Sequence, residues 1–286
     1  MGEAPPDRVP LDNRGITIVL ALTVLWGFNH VALKLATPGI PLVMQMGVRF
    51  AIAAALLAIW AEVRGIPLNA RDGTLASGLL VGGLFAVEFL FIAVGLNYTS
   101  AARMIVFVNL APCWTVLGLS IFTPSERLDR WQLVGVGLGF VGVAIAFADG
   151  FRAGAEPMLW GDSCGLIAGG VWAATTVSIR ATRLARATAA KTLWYQLAIA
   201  APFLVLVSLA IGEPLDWKLT PVVIGAVLFH SVLVGFVSLL LWFWLLTKYL
   251  ASRLAVFTFV SPLVGVAAGA IVLGETVSAG LLWGAL

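Results

Sequence analysis

Residues 25–34 read LWGFNHVALK and residues 171–180 read VWAATTVSIR, and this repeated stretch decides the fold. The two stretches align at one offset of 146 positions, which pairs Trp26 with Trp172, Val31 with Val177 and Lys34 with Arg180. At offsets of 147 to 150 the similarity continues with Phe50–Ala54 against Leu197–Ala201, Pro112 against Pro262 and Glu126 against Glu275. Two related halves therefore account for nearly the entire chain.

The composition is that of a membrane protein. Hydrophobic residues make up 61% of the chain and charged residues 11%, and the mean hydropathy is +1.03. A soluble domain carries about 25% charged residues, so that class is excluded. Stretches near the ~20 apolar residues that cross a bilayer occupy residues 15–36, 41–62, 73–96, 101–122, 131–148, 157–179, 190–211, 221–246 and 252–273. A tenth begins at Val277, and we expect the end of the sequence at Leu286 to cut it short.

The predicted fold is all-α, with ten transmembrane helices in two inverted five-helix repeats. Because each half holds an odd number of spans, the halves must insert in opposite orientations, a plan that recurs in secondary transporters. The predicted organisation is a cytoplasmic N-terminal segment 1–14, a first repeat 15–148, a periplasmic linker 149–156 and a second repeat 157–286.

The distribution of positive charge supports a cytoplasmic N-terminus. Cytoplasmic segments of this topology carry twelve of the 17 Lys and Arg residues, and outer segments carry four: Lys34, Arg103, Arg152 and Lys218. This excess satisfies the positive-inside rule. The net charge of +3 reflects this excess of Lys and Arg in the cytoplasmic segments. We therefore expect no nucleic-acid partner. Two cysteines inside predicted spans give neither a metal spacing nor a disulfide framework, and we expect no metal or cofactor.

Five polar side chains are predicted to form a layer in the outer half of the membrane: His30, Arg49, Glu88, Asn109 and His230. At 1.5 Å per residue, Arg49 and Glu88 each lie ~12 Å from an end of their span. A charged residue at mid-bilayer costs about 2.5–3.5 kcal/mol on insertion scales, so such residues should face the bundle interior or a wet cavity.

Several roles are open for these residues. Arg49 and Glu88 can neutralise each other as a structural ion pair, or they can hold a zwitterion, since a guanidinium suits a carboxylate and a carboxylate suits an ammonium. Glu88 can also serve as a proton site. His30 and His230 either pack as hydrogen-bonded residues or line a pathway.

Two further pairs are related by the repeat. Trp26 and Trp172 lie near mid-membrane, where a tryptophan usually packs with its indole N–H satisfied. Each precedes a polar residue by one helical turn, so one face of the helix carries both an aromatic and a polar side chain. Such a face also suits a substrate with an apolar side chain and a polar head. Pro112 and Pro262 each remove a helical hydrogen bond and predict kinks. These kinks are either tolerated without a function, or they are matched hinges for alternating access.

The order and repetition of these motifs resemble the drug/metabolite transporter superfamily and, within it, the EamA-type exporters with ten spans. The resemblance rests on Leu25–Asn29 with Lys34, Arg49-Phe50, Pro112, Ser125–Leu128 with Gly135, Trp160–Asp162, Trp172-Ala173 and Leu273–Thr276 with Gly284. The sequence departs from the family pattern at Pro124-Ser125, where Leu-Gly is commoner, and at Gln196, where the second repeat does not echo Arg49.

The resemblance implies a bacterial inner-membrane transporter that exports small metabolites, with amino acids favoured, by alternating access. The ten-span topology places both termini in the cytoplasm, and the oligomeric state stays open, with a monomer as one alternative. The transporter's partners would be this small-molecule substrate and the lipid bilayer. The candidate substrate-binding residues are Trp26, Asn29, His30, Arg49, Glu88, Asn109, Trp172, Thr176, Tyr195, Gln196 and His230.

Three other classes were weighed. A nucleotide-sugar or organic-phosphate antiporter of the same fold should bury several Lys or Arg for the phosphates, whereas only Arg49 lies deep. An intramembrane protease is not expected; its signals would be a Gly-x-Ser-x-Gly serine, a Gly-x-Gly-Asp aspartate or a His-Glu-x-x-His pair. A structural or assembly protein stays open, although it would not explain the polar layer.

Overall fold

A computed structural model describes residues 11–68, 72–122, 130–148, 156–249, 254, 257–258 and 260–285. Its α-helices are α1 (Asn13–Ala36), α2 (Leu42–Val63), α3 (Leu75–Leu96), α4 (Ala101–Val108), α5 (Ala111–Phe122), α6 (Arg130–Ala148), α7 (Glu156–Ala181), α8 (Ala189–Ala210), α9 (Pro221–Leu228), α10 (Leu239–Lys248), α11 (Val260–Leu273) and α12 (Ala279–Ala285). A 3₁₀ turn (Arg183–Arg186) precedes α8, and a π-helical segment (Phe229–Ser238) joins α9 to α10.

The all-α membrane fold predicted from the sequence is confirmed. Seven helical spans within the described ranges are long and apolar enough to cross a membrane, and two shorter apolar helices cover Leu133–Ala148 and Val260–Leu273. Most observed helix boundaries fall within about two residues of the predicted spans. Residues 149–155 of the predicted linker 149–156, most of segment 1–14 and most of the start of the ninth span lie outside the described residues. Glu156, at the end of the predicted linker, is the first residue of α7.

The second helices of the two repeats, α2 and α8, run antiparallel along their length. A Cβ on Gly47, near the start of α2, would lie 2.6 Å from Val205 Cγ2, near the end of α8. At the opposite ends, Ala58 and Ala61 share an open groove with Trp194. Since equivalent helices point in opposite directions, the repeats are inverted.

Both of these helices end on a glycine at matched positions. Gly65 follows α2 with φ 64°, and Gly212 follows α8 with φ 73°. Only glycine adopts this left-handed conformation without a steric penalty, which makes it a common helix terminator. The repeat seen in the sequence therefore extends to backbone conformation.

The first helix of each repeat packs on the fourth span of the other. α1 lies against α11 and α7 against α4 and α5. A Cβ on Gly27 would lie 2.6 Å from Val264 Cγ1, and one on Gly169 would lie 3.0 Å from the carbonyl oxygen of Val108. Such small residues let helix backbones approach closely in lipid.

The kink predicted at Pro112 is a break between two helices. α4 ends at Val108, a turn covers Asn109 and Leu110, and Pro112 is the second residue of α5. Pro112 has no N–H to donate to the carbonyl of Val108, four residues earlier. Gly169 packs against that carbonyl, so the break and the repeat interface coincide. Pro262 is the third residue of the described part of α11.

The span predicted as one continuous helix over residues 221–246 is α-helical only at its ends. Its middle, Phe229–Ser238, is a π-helix. The sequence did not reveal this, because apolar residues surround the segment on most sides and the spacing of its polar residues fits more than one helical period. π-Helical turns within α-helices are rare and frequently mark functional sites.

We name the two ends of the bundle by one residue each, the Asp12 end and the Glu275 end. At the Asp12 end, Asp12 Oδ1 accepts hydrogen bonds from the Gly15 N–H at 2.7 Å and the Tyr249 hydroxyl at 2.8 Å. Lys191 Nζ also pairs with Asp72 Oδ2 there at 2.7 Å. Both long-range contacts join one repeat to the other.

At the Glu275 end, acidic residues of the second repeat cap helices of the first. Glu275 accepts hydrogen bonds from the N–H groups of Ala101 at 2.7 Å and Ala102 at 2.9 Å, at the start of α4. Glu213 accepts from Val43 and Met44 at the start of α2, at 3.2 and 2.8 Å. A carboxylate at a helix N-terminus satisfies free N–H groups and is favoured by the helix dipole.

The Asp12–Tyr249 link predicts a pH-dependent stability. The hydrogen bonds from the Gly15 N–H and from Tyr249 lower the pKa of Asp12, and the bond to Asp12 raises the pKa of Tyr249. The contribution of Asp12 is therefore complete above its unfolded pKa of about 3.9 and is lost as the pH falls through the lower folded value. Tyr249→Phe should lower the unfolding temperature at pH 7 and lose this effect in strong acid.

The measurement is thermal unfolding of the purified protein in detergent from pH 3 to 8. Tyr98→Phe is the matched control, because Tyr98 is exposed at the equivalent helix junction of the first repeat. A Tyr249→Phe difference of constant size across this range would contradict the role of the Asp12 carboxylate.

Candidate functional site

Four polar residues of the predicted layer come together between α1, α2, α3 and the π-helical segment. His30, Arg49, Glu88 and His230 are 7%, 3%, 4% and 0% exposed. Arg49 lies within electrostatic range of each of the other three. We call these four residues the buried polar cluster.

Aromatic rings hold the guanidinium of Arg49 in place. Its Cζ lies 5.1 Å from the ring centroids of both Phe50 and Phe89, distances typical of cation–π contacts. The two rings also pack against each other, with centroids 4.7 Å apart. Arg49 is thus oriented by apolar neighbours and keeps its hydrogen-bonding capacity.

Arg49 and Glu88 do not form the structural ion pair that the sequence left open. No salt bridge joins them within the described part of the chain, and Arg49 Nε, Arg49 Nη1 and Glu88 Oε2 have no hydrogen-bond partner in the protein. Both charges are therefore available to a third group.

Unpartnered polar atoms are concentrated in and next to this cluster. The ten buried side-chain atoms without a partner, among the described residues, belong to Asn29, His30, Gln45, Arg49, Glu88, His230 and Ser231. Leaving one buried donor or acceptor unsatisfied costs about 1–3 kcal/mol. Because the set includes both N–H donors beside a positive charge and a carboxylate oxygen, it suits a ligand that carries both signs of charge.

A second buried arginine, Arg103, has the hydrogen-bond partners that Arg49 lacks. Arg103 Nε donates to both oxygens of Asp162 at 3.1 Å, and Arg103 Nη2 donates to the carbonyl of Ala146 at 2.8 Å. The Thr99 hydroxyl donates to Asp162 Oδ1 at 2.7 Å. This group joins the two repeats near the Glu275 end, and its saturated hydrogen bonding indicates a structural role.

Sequence reasoning missed this pair. Arg103 was counted only as an outer positive charge, and Asp162 entered only as part of a motif. A usable signal was present, since an aspartate within an apolar span requires a partner. The acidic cap Glu213 was also missed, and it lies about 170 positions from the residues that it caps.

Trp26 lies next to the π-helical segment. Its indole Nε1 donates to Ser238 Oγ at 2.9 Å, and its ring packs edge-on against Trp242 with centroids 5.3 Å apart. The Ser238 hydroxyl in turn donates to the carbonyl of Val234 at 2.6 Å. Trp26 therefore packs with its indole N–H satisfied, and this hydrogen bond links the first repeat to the second.

The other candidate residues have no hydrogen bond to Arg49 or Glu88 in the described part of the chain. Trp172 is 38% exposed on α7, and the Thr176 hydroxyl donates to the Trp172 carbonyl at 3.1 Å. Tyr195 packs its ring on Gly78, with its hydroxyl 3.1 Å from Thr74 Oγ1. The Asn109 amide donates to the Ile105 carbonyl at 2.8 Å, and Gln196 is buried on α8. In the described ranges, no hydrogen bond joins these five to Arg49 or Glu88.

One stretch matches a catalytic serine pattern by letters alone. Residues 161–165 read GDSCG, a Gly-x-Ser-x-Gly sequence, but they lie inside α7. A nucleophile of this type requires a sharp turn between a strand and a helix. Here the Ser163 hydroxyl donates to the Leu159 carbonyl at 2.7 Å, as is usual for a serine in a helix. In addition, the described residues contain no group of three His, Cys, Asp or Glu that could hold a metal ion.

A family model and two relatives identify the chain as a transporter, and a solved structure shares its fold. The model of the EamA-like transporter family matches residues 13–148 and 159–286. A probable amino-acid metabolite efflux pump of Salmonella typhimurium is 28% identical over 94% of this chain and 90% of its own length. The uncharacterized transporter YvbV of Bacillus subtilis is 30% identical over 100% of this chain and 90% of its own. A crystal structure with 21% identity shares the fold at a TM-score of 0.67, covering 94% of this chain and 92% of that one.

Proposed function

The chain belongs to the EamA-like transporter family, and we propose that it exports amino acids or related small metabolites across the bacterial inner membrane. The observation that carries this proposal is the pair of unpartnered opposite charges, Arg49 and Glu88, in the buried polar cluster. Two relatives named as probable amino-acid metabolite efflux pumps support the substrate class.

The chemistry of a zwitterion fits this pair. The Nε–H and Nη1–H groups of Arg49 can donate to a substrate carboxylate, and charge-assisted hydrogen bonds of this kind are the strong ones. Glu88 Oε2 can accept from the substrate ammonium. Both groups then gain partners in a site of low dielectric, where an isolated charge is costly.

We propose alternating access as the mechanism, with both termini cytoplasmic and the protein acting as a monomer. The buried polar cluster is nearly sealed from solvent, so the substrate reaches it only when the halves move. Inverted halves supply the two related arrangements that such a cycle needs. Pro112 and Pro262 are the proposed hinges, since each lacks a backbone hydrogen bond within its span.

Counterflow in liposomes tests the proposal. Purified protein is reconstituted with each unlabelled amino acid inside, and accumulation of the same labelled amino acid is measured from outside. We expect accumulation for at least one amino acid and none for nucleotide sugars or sugar phosphates. Failure of every amino acid in active, folded preparations would reject the substrate class, and accumulation of sugar phosphates would favour the organic-phosphate antiporter.

Glu88→Gln tests the proposed ammonium site. The amide keeps the size of the side chain and removes its charge, so the transported amino acid should lose about 10- to 100-fold in affinity, as expected for one hydrogen bond to a charged group. Glu62→Gln is the matched control, because Glu62 is exposed near the end of α2. Equal affinities for Glu88→Gln and the wild type would remove Glu88 from the site.

A further inference from the structure

The π-helical segment carries His230 of the buried polar cluster and adds a neighbouring unpartnered donor, Ser231. His230 and Ser231 occupy its second and third positions, and both are completely buried. Both ring nitrogens of His230 and the hydroxyl of Ser231 lack a hydrogen-bond partner. His230 lies within electrostatic range of Arg49. No carboxylate other than that of Glu88 is identified within this cluster.

Gly235 fixes the distance between this segment and Arg49. A Cβ on Gly235 would lie 3.3 Å from the Cβ of Ala53, 3.3 Å from the carbonyl oxygen of His230 and 3.8 Å from Arg49 Nε. The backbone of the π-helix therefore rests directly on α2, one turn from Arg49. An alanine here would meet both neighbours closer than ordinary van der Waals contact, so the segment would have to shift from α2 by a few tenths of an ångström.

The donors on the two elements can together satisfy one carboxylate. Arg49 offers its Nε–H and the two N–H groups of Nη1, His230 offers one ring N–H when neutral, and Ser231 offers its hydroxyl. A carboxylate has about four lone-pair sites. The planar fork of Arg49 pairs with part of them, and the groups of the π-helical segment can donate to the rest.

We propose that His230 and Ser231, presented by the π-helical segment, complete with Arg49 a subsite for the carboxylate of the substrate, and that Gly235 sets its dimensions. This inference rests on the proposed function and names the part of the substrate that the second repeat recognises. It also assigns a reason for the π-helix, since this irregular segment places the unpartnered groups of the second repeat beside the charge of the first.

The test measures preference for a carboxylate separately from transport itself. The probes are the amino acid that shows counterflow and its amide, which keeps the ammonium and the side chain but has no carboxylate. Each competes against the labelled amino acid in liposomes. Ser231→Ala should reduce the preference for the acid over the amide about tenfold, the usual consequence of losing one hydrogen bond to a charged group.

Two controls separate recognition from folding. Because Ser231 Oγ has no partner in the protein, Ser231→Ala should leave the unfolding temperature in detergent unchanged, and Ser163→Ala on α7 should change neither quantity. Gly235→Ala should also reduce the preference for the acid, whereas Gly225→Ala should not, since a Cβ there meets no atom within 4 Å.

The outcomes distinguish this inference from the proposed function. An unchanged acid-to-amide preference in both Ser231→Ala and Gly235→Ala would overturn the subsite, even if amino acids are transported. Absence of counterflow for every amino acid in the wild type would instead reject the proposed function, and with it the inference. Reduced preference in Ser231→Ala and Gly235→Ala, with normal preference in the two control variants, would support both.

Discussion

Asp162→Ala is expected to destabilise the folded protein by about 3–5 kcal/mol, because removing one member of a buried ion pair is strongly destabilising. Asp162 is completely buried and accepts hydrogen bonds from Arg103 and Thr99. The variant removes all of these bonds. The measurement is unfolding in mixed micelles, followed by circular dichroism.

The matched control is Asp216→Ala, since Asp216 is exposed in the connection between α8 and α9. A double variant adds a sharper test. Replacing a whole buried ion pair by apolar residues is often neutral or stabilising, so Arg103→Met combined with Asp162→Leu should recover much of the lost stability. If Asp162→Ala unfolded at the same denaturant concentration as the wild type, the structural role of the pair would be wrong.

Arg49 is expected to give the opposite result. Arg49→Lys keeps the positive charge but loses the planar fork that matches a carboxylate, and we expect amino-acid affinity to fall about 10- to 100-fold. Arg49→Ala should abolish counterflow. Both changes should lower stability less than Asp162→Ala does, because Arg49 loses only its contacts with Phe50 and Phe89. Its Nε and Nη1 have no hydrogen-bond partner in the protein, and burying a charge is itself unfavourable.

Affinity and unfolding temperature must therefore be measured on the same preparations. Arg64→Lys is the control, because Arg64 is exposed just after the end of the same helix. An Arg49→Ala protein as destabilised as Asp162→Ala would indicate that Arg49 mainly supports the fold, and normal counterflow in this variant would exclude it from the substrate site. Together with the Asp162 variants, this prediction distinguishes a charged side chain that stabilises the fold from one that binds the substrate.

The sequence predicted the features that repeat. The aligned tryptophans and prolines identified two halves, and an odd number of apolar spans implied their inversion, which the antiparallel packing of α2 and α8 confirms. The break at Pro112 was predictable because proline lacks a backbone donor. These features follow from local chemistry or from composition over about twenty residues.

Features that depend on pairing between halves were beyond the sequence. Arg103 and Asp162 are 59 positions apart, and neither residue alone indicates which partner it meets. The π-helix was hidden for another reason, because a span that is apolar on most sides gives no periodic signal. For the cluster, counting residues from span ends gave a common depth for Arg49 and Glu88, but not their orientation or their lack of partners.

The caps on α2 and α4 also determine when the fold of the first half can be completed during synthesis. The N–H groups at the start of α2 bind Glu213, and those at the start of α4 bind Glu275. Both helices leave the ribosome long before their caps are made. The first half must therefore wait in the membrane with these helix ends satisfied by water or lipid head groups. Its final structure forms only after residue 275 has been inserted, so maturation of α4 depends on a residue translated 174 positions later.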